Sequence, residues 1–215
     1  MKEVVTVYEV MLRLGWVGIP LVLCSIMALA IVVERAINLR SRKLFDPDLL
    51  QAVDDSVEAA DHEGALRVVR TRPGVLSQIM RAALDTYARS AEELRGAVRE
   101  MARHEAPTLQ RNLGLLGTVA SIAPMLGLLG TVTGMVQTFG KISVEGVGQA
   151  TALAGGIYEA LSTTVFGLVI AIPSLVAYNH FGEKTVTSLL EMERRALGAA
   201  RALQARTAGR PGKAR

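Results

Sequence analysis

The sequence has few cysteines, histidines, aromatic residues and charges, and each scarcity excludes a class of protein. A single cysteine, Cys24, excludes a disulfide scaffold, and three histidines far apart in the sequence offer no metal cluster. Aromatic residues make up only 4% and charged residues only 20% of the 215 positions, whereas 50% are hydrophobic. So apolar a chain is not disordered, and a soluble domain needs more charge to cover its surface. The composition therefore predicts a membrane protein without a metal or cofactor.

Three stretches of the chain carry no Asp, Glu, Lys or Arg. They cover residues 14–33, 112–140 and 160–182, which are 20, 29 and 23 residues long. Crossing a hydrocarbon core of ~30 Å takes ~20 helical residues, so each stretch is long enough to span a membrane. Their glycines and prolines are tolerated in transmembrane helices. We predict three transmembrane helices, at 14–33, 112–140 and 153–181.

The first stretch has an alternative interpretation as a signal peptide. Ala28-Leu29-Ala30 has the small residues of a cleavage site. The apolar run continues to Val33, however, and then meets a cluster of basic residues, which is typical of a stop-transfer segment. We therefore interpret it as a retained helix.

Basic residues near the span ends predict the orientation of the chain. Counted near the span ends alone, eleven Lys and Arg lie on the side that holds 34–111 and 182–215, and only three lie on the other side. Basic residues favour the cytoplasmic side, so we predict that 1–13 and 141–152 are external. The basic tail favours lipid headgroups as its partner, since no nucleic-acid recognition motif accompanies its charge.

The insert at 34–111 shows helical periodicity and is predicted to be an all-helical cytoplasmic segment. Asp46-Pro47 has the form of a helix cap followed by proline at the first helical position. Further helices are expected after Asp61, from Arg72-Pro73-Gly74, and from about Ser90.

Two of the helices are expected to be unusually long. No strong stop separates the helix that begins near Ser90 from the second span, so we expect one helix that is kinked at Pro107. The third span is expected to continue as a helix to Arg206, before a frayed end at 205–215. The predicted fold is therefore an all-α membrane protein with long helical cytoplasmic extensions.

Small residues recur every three or four positions along the second and third spans. Such seams let helix backbones approach closely in lipid, where apolar burial gives little driving force. The seam residues are Gly117, Ser121, Gly127, Gly134, Ala160, Gly167 and Ala171. They place Thr131 and Thr164 at helix contacts. The alternative is packing alone, in which each threonine hydroxyl returns to a carbonyl one turn back.

Glu159 is the feature that packing alone does not explain. It lies among apolar residues at the outer part of the third span, where a carboxylate should face water, a partner or a pore. The alternative is an interfacial glutamate that merely points outward. A layer of Thr131, Thr164 and Glu159 could hold waters and pass protons, because hydroxyls both donate and accept hydrogen bonds. Three spans are too few to enclose such a path, so it implies a ring of copies.

Two ordered blocks resemble the MotA/TolQ/ExbB proton-channel family, in its three-span ExbB/TolQ branch. The first block is Ala-Pro-Met-Leu-Gly-Leu-Leu-Gly-Thr-Val-Thr-Gly at 123–134, and the second is Gly-Ile-Tyr-Glu-Ala-Leu at 156–161, followed by Thr164. The match is clear over about 112–181. Thr133 departs from the tryptophan that ExbB and TolQ often carry there, and Ser162-Thr163 departs from the usual Leu/Ile-Ala.

The resemblance implies a homopentamer in the bacterial inner membrane, with a periplasmic N-terminus, a cytoplasmic C-terminus and a central pore lined by the second and third spans. It implies a one-span ExbD/TolR-like partner with a transmembrane aspartate, and a TonB/TolA-like protein that transmits movement to the outer membrane. It identifies Thr131 and Thr164 with the pore-facing threonines, and Glu159 with the glutamate of the third span.

Other functions fit the sequence less well. A MotA-like stator has four spans, a secondary transporter needs inverted repeats and broken helices, and an enzyme needs a nucleophile, phosphate loop or metal spacing that is not visible. A structural scaffold would retain the seams but would have no use for Glu159. The sequence leaves open whether the system is of the ExbB or the TolQ type, and whether the ion is the proton or sodium.

Overall fold

The computed structural model describes residues 15–145 and 150–208, and its regular structure in these ranges is helical. The helices are α1 (Gly15–Asn38), α2 (Ser41–Leu44), α3 (Pro47–Glu58), α4 (His62–Thr71), α5 (Val75–Asp85), α6 (Ala91–Gln110), α7 (Leu113–Glu145) and α8 (Ala150–Ala208). The predicted external N-terminus at 1–13, part of the 141–152 connection and the end of the tail lie outside the described residues.

The chain divides into two compact units. One comprises Met1–Glu34 and Asn112–His180, and the other comprises Arg35–Arg111 and Phe181–Arg215. We refer to the described residues of the first as the membrane unit, and to those of the second as the helical bundle.

Three helices are long and apolar enough to cross a membrane, as the sequence predicts. These candidate spans are Trp16–Asn38, Leu113–Gly140 and a stretch within Ala154–Ala208. Helix α7 continues five residues beyond 140, to Glu145, and α8 already begins at Ala150. The described residues therefore form an all-α structure with three candidate membrane helices.

Three helices of the helical bundle begin where the sequence predicts, and each has a side-chain cap. A side-chain oxygen of Asp46 accepts from the backbone N–H of Asp48, and Asp61 accepts from that of Gly64. The Ser90 hydroxyl accepts from the backbone N–H of Glu93. Each cap satisfies a backbone donor that the first helical turn leaves without a partner. The short helix α2 carries no comparable sequence signal, and the sequence did not predict it.

The core of the helical bundle consists of large aliphatic side chains from α3, α4, α5 and α6 and from the part of α8 after residue 181. Its fully buried members include Val53, Ile79, Met80, Leu84, Leu94, Val98, Met192 and Leu203. The hydrophobic effect stabilises this unit, because each of these side chains leaves water on folding.

The prediction of one unbroken helix from about Ser90 through the second span is wrong. Helix α6 ends at Gln110, α7 begins at Leu113, and Asn112 between them has a φ of 61°. Asparagine reaches this left-handed region more readily than most residues. The Asn112 amide also donates to a carboxylate oxygen of Glu34 at 2.8 Å. The other long helix is confirmed, since α8 runs without interruption for 59 residues.

Candidate functional site

Helices α7 and α8 approach so closely that backbone meets backbone in the membrane unit. A Cβ atom on Gly127 would lie 3.0 Å from the Thr163 carbonyl oxygen and 3.0 Å from the Thr164 Cα. A Cβ on Gly167 would lie 2.6 Å from the Ala123 carbonyl oxygen. Only glycine fits without a shift of the helices, so these positions fix the distance between them.

Most of the predicted seam lies at this contact or beside it. A Cβ on Gly134 would lie 2.9 Å from the Ala160 Cβ, and one on Gly117 would lie 3.1 Å from the ring of Tyr178. Ala171 is buried in a small apolar cluster with residues of α1 and α7. Ser121 differs, because it is exposed and its hydroxyl donates to the Gly117 carbonyl of its own helix at 3.0 Å.

The structure brings Thr131 of α7 and Thr164 of α8 together. Their hydroxyl oxygens are within hydrogen-bonding distance of each other. The Thr131 hydroxyl also lies 3.0 Å from the Ala160 carbonyl oxygen, and the Thr164 hydroxyl lies 3.1 Å from the Gly127 carbonyl oxygen. Both hydroxyls therefore reach across the helix contact. This arrangement differs from packing alone, in which each would bond only to its own helix.

A third hydroxyl, that of Thr163, completes the cluster. Thr163 is 2% exposed, and its Oγ1 lies 2.7 Å from the Ala160 carbonyl oxygen and 3.1 Å from the Gly127 carbonyl oxygen. A Cβ on Gly130 would lie 2.5 Å from the same Oγ1. Sequence reasoning missed Thr163 and Gly130, although Gly130 lies one turn from Gly127 on the seam and could have been included.

Glu159 is close to this cluster in sequence but takes no part in its hydrogen bonds. It immediately precedes Ala160, whose carbonyl accepts from the cluster, and its side chain is exposed. Within the described residues, the Glu159 side chain forms no hydrogen bond with Thr131 or Thr164. Thr163, one turn further along α8 than Glu159, turns into the α7 contact. Glu159 is thus available to water, to a second copy or to a partner.

The outer surface of the membrane unit is strongly apolar. Its exposed large side chains include Leu23, Ile26, Leu29, Met125, Leu128, Val132, Val136, Val165, Val169, Ile172 and Val176. Within the described residues, no group of three His, Cys, Asp or Glu side chains is placed to hold a metal ion.

Two ion-paired carboxyl groups lie outside the membrane-spanning segments, in the helical bundle. A hydrogen bond from Arg72 at 2.7 Å lowers the pKa of Asp46 below its ordinary value. Hydrogen bonds from Arg194 and Arg195 likewise lower the pKa of Glu191. Both carboxyl groups are partly exposed and paired with arginines of the helical bundle.

Known proteins resemble this chain over a region much longer than the threonine cluster. Residues 72–194 match the MotA/TolQ/ExbB proton channel family. The chain is 33% identical over 175 residues to the biopolymer transport protein ExbB-like 3 of Synechocystis sp., covering 78% of this chain and 80% of that protein.

Two further relatives are an ExbB-like protein and a TolQ protein. The chain is 38% identical over 173 residues to ExbB-like 1 of Synechocystis sp., covering 78% of this chain and 67% of the relative. It is 41% identical over 91 residues to the Tol-Pal system protein TolQ of Haemophilus influenzae, covering 40% of this chain and 39% of the relative. The chain therefore belongs to the MotA/TolQ/ExbB proton channel family.

Proposed function

We propose that this chain is the proton-channel subunit of an ExbB/TolQ-like complex in the bacterial inner membrane. The complex couples the proton motive force to outer-membrane transport through a one-span ExbD/TolR-like protein and a TonB/TolA-like protein. Family membership and the relatives named for biopolymer transport and for the Tol-Pal system support the proposal. The observation that carries it is the hydrogen-bonded layer of Thr131 and Thr164 between two apolar helices.

This layer supplies what a proton path needs inside a membrane. A hydroxyl both donates and accepts, so neighbouring hydroxyls and waters form a continuous chain of hydrogen bonds. Glu159 adds an exposed titratable group beside the layer, on the same helix. An ionisable side chain in or near lipid is costly unless water, a partner or a pore receives it. These residues therefore form one wall of the proposed path.

The rest of the path comes from other chains. Three helices supply one wall, whereas a hydrated path has to be enclosed on all sides. The exposed apolar surface of the membrane unit leaves room for lipid and for identical copies. We propose a homopentameric ring around the one-span partner, whose transmembrane aspartate loads and releases the proton.

The proposed topology follows the distribution of basic residues. The segments 1–13 and 141–152 face the periplasm, and 34–111 and 182–215 face the cytoplasm. The helical bundle then lies on the cytoplasmic side, where the basic tail is attracted to anionic lipid headgroups.

The test measures proton flux into vesicles that contain the full chain together with the one-span protein that copurifies with it. Thr131→Val and Thr164→Val should each lower the flux roughly tenfold or more, because loss of a hydrogen-bonding group at the helix contact costs about 1–3 kcal/mol. Glu159→Gln should lower it to a similar extent, because a glutamine side chain cannot take up or release a proton. Thr118→Val is the matched control, since the Thr118 hydroxyl is exposed and bonds to the Gly114 carbonyl of its own helix.

The results distinguish a proton path from a structural scaffold and from a sodium path. Oligomer mass and yield should stay unchanged in all four variants, so that a lower flux reports conduction rather than assembly. Wild-type flux in the three site variants would contradict the proposal and favour a structural scaffold. A flux that follows a sodium gradient and ignores the pH gradient would contradict the assignment of the proton.

A further inference from the structure

Three threonine hydroxyls share two backbone carbonyls at the contact of α7 and α8. The Thr163 hydroxyl reaches both the Ala160 and the Gly127 carbonyl oxygens, at 2.7 and 3.1 Å. The Thr131 hydroxyl reaches the Ala160 carbonyl oxygen at 3.0 Å and the Gly127 carbonyl oxygen of its own helix at 3.3 Å. The Thr164 hydroxyl reaches the Gly127 carbonyl oxygen at 3.1 Å. Every donor in the cluster therefore competes for the same two acceptors.

A count of hydrogens and lone pairs shows that one hydroxyl hydrogen is left over. A carbonyl oxygen has two lone pairs, and inside a helix one of them accepts from the N–H four residues later. Gly127 and Ala160 thus offer one free lone pair each, whereas the three hydroxyls carry three hydrogens. The third hydrogen has to go to another hydroxyl, and the contact between Thr131 and Thr164 is where it can do so.

We infer that Thr163 is a positioning residue that keeps the Thr131 and Thr164 hydroxyls hydrogen-bonded to each other. The inference rests on the proposed function, in which this link belongs to the proton path. When Thr163 donates to the Ala160 carbonyl, Thr131 donates to Thr164, which donates to the Gly127 carbonyl. When Thr163 donates to the Gly127 carbonyl instead, Thr164 donates to Thr131, which donates to the Ala160 carbonyl. The link persists in both arrangements and merely changes direction. It also persists when Thr163 donates to Ala160 and Thr131 donates to the Gly127 carbonyl of its own helix, because Thr164 then donates to Thr131.

Without the Thr163 hydroxyl, two donors face two carbonyls. Thr131 can then donate to Ala160 while Thr164 donates to Gly127, and both carbonyls are satisfied without any bond between the hydroxyls. That arrangement is favoured, because the alternative leaves the second lone pair of one carbonyl without a hydrogen. The hydroxyl of Thr163 therefore stabilises the link indirectly, by occupying a carbonyl.

The packing around Thr163 is consistent with a site that accommodates its hydroxyl. The residue is buried, and the absence of a side chain on Gly130 leaves the space that its Oγ1 occupies. Thr138 provides a contrast on the same face of α7. It is also buried, but among residues 15–145 and 150–208 its hydroxyl bonds only to the Gly134 carbonyl of its own helix, at 2.8 Å.

The test uses the same vesicles, with the full chain and its copurified one-span protein. Thr163→Val and Thr163→Ala should lower proton flux roughly three- to tenfold, as expected for the loss of one hydrogen bond. Thr163→Ser keeps the hydroxyl and should restore the flux, and Thr138→Val should leave it unchanged. The ratio of flux in H₂O to that in D₂O should rise in Thr163→Val, because the weakened link becomes the slow step.

Failure of this inference can be told apart from failure of the proposed function. Wild-type flux and an unchanged isotope ratio in both Thr163→Val and Thr163→Ala would overturn the inference, while Thr131→Val and Thr164→Val still test the path. A Thr163→Ser variant that is as slow as Thr163→Val would also overturn it, since packing of the methyl group would then be the cause. Unaltered flux in Thr131→Val and Thr164→Val would contradict the proposed proton path itself.

Discussion

The membrane unit and the helical bundle hold their helices together in opposite ways. In the helical bundle, large side chains such as Ile79 and Leu84 are fully buried between helices. In the membrane unit, large side chains such as Leu128 and Val165 are exposed, and the α7–α8 contact consists of glycine, alanine and threonine. The helical bundle thus buries its large side chains, whereas the membrane unit exposes them.

The difference follows from the solvent that each unit displaces. Burying an aliphatic side chain away from water contributes about 1.5–3 kcal/mol, which favours a core of large residues. Lipid tails are as apolar as leucine, so the same burial gives little gain in a membrane. Close backbone contact and hydrogen bonds then hold the helices, and this leaves polar groups such as Thr131 at the contact.

The largest expected difference in stability is between two Leu→Ala substitutions, one in each unit. Leu84→Ala should lower the free energy of unfolding by about 2–5 kcal/mol, because Leu84 is fully buried and the substitution leaves a cavity. Leu128→Ala should have little effect, because Leu128 is 60% exposed on the apolar surface. Thermal unfolding of the full chain in one detergent measures both. Equal losses would show that Leu128 is buried by a contact outside the chain.

A smaller effect is expected from adding a methyl group to the glycine contact. Gly134→Ala should destabilise the α7–α8 contact by about 1–3 kcal/mol, because the new Cβ would lie 2.9 Å from the Ala160 Cβ. Adding Ala160→Gly should recover part of the loss by moving the methyl group to the other helix. Gly114→Ala is the control, since a Cβ there meets nothing within 4 Å in the described part of the chain. A double variant no better than Gly134→Ala would contradict the steric explanation.

The smallest effect is a pH-dependent one in the helical bundle. Arg72→Gln should lower the free energy of unfolding by about 0.5 kcal/mol near pH 7, since the pair with Asp46 is more than a third exposed and screened by solvent. The pKa of Asp46 is lowered from its ordinary value of 3.8, so the pair stabilises the fold above that pH. The difference between wild type and variant should disappear as the pH falls through the folded-state pKa, below 3.8.

Urea unfolding between pH 7 and pH 3 measures this difference. Arg81→Gln is the control, because it removes an arginine whose contact with Asp85 is longer, at 3.6 Å. A difference between wild type and Arg72→Gln that stays constant over this range would contradict the pairing.

Features encoded by local sequence were predictable, and features that depend on contacts across helices were not. The charge-free stretches gave the three apolar helices, and Asp46, Asp61 and Ser90 gave the caps, because these signals act within a few residues. The break at Asn112 depends on a single backbone angle and on a distant carboxylate, that of Glu34. Neither leaves a periodic trace in the sequence.

The threonine cluster shows the same limit within the site. Spacing alone placed Thr131 and Thr164 at the helix contact, where the structure also has them. Spacing could not assign Thr163, because it lies between the contact face and the face of Glu159. The rotation of α8 against α7 decides between the two faces, and close approach at Gly127 and Gly167 sets that rotation.

Glycines with open space around them can report on neighbours that belong to other molecules. Beyond the α7–α8 contact, a Cβ on Gly114, Gly140 or Gly155 would meet nothing within 4 Å among the described residues. Any intolerance to larger residues at these three positions in a saturation mutagenesis experiment would therefore map a surface that another chain or a tightly held lipid covers.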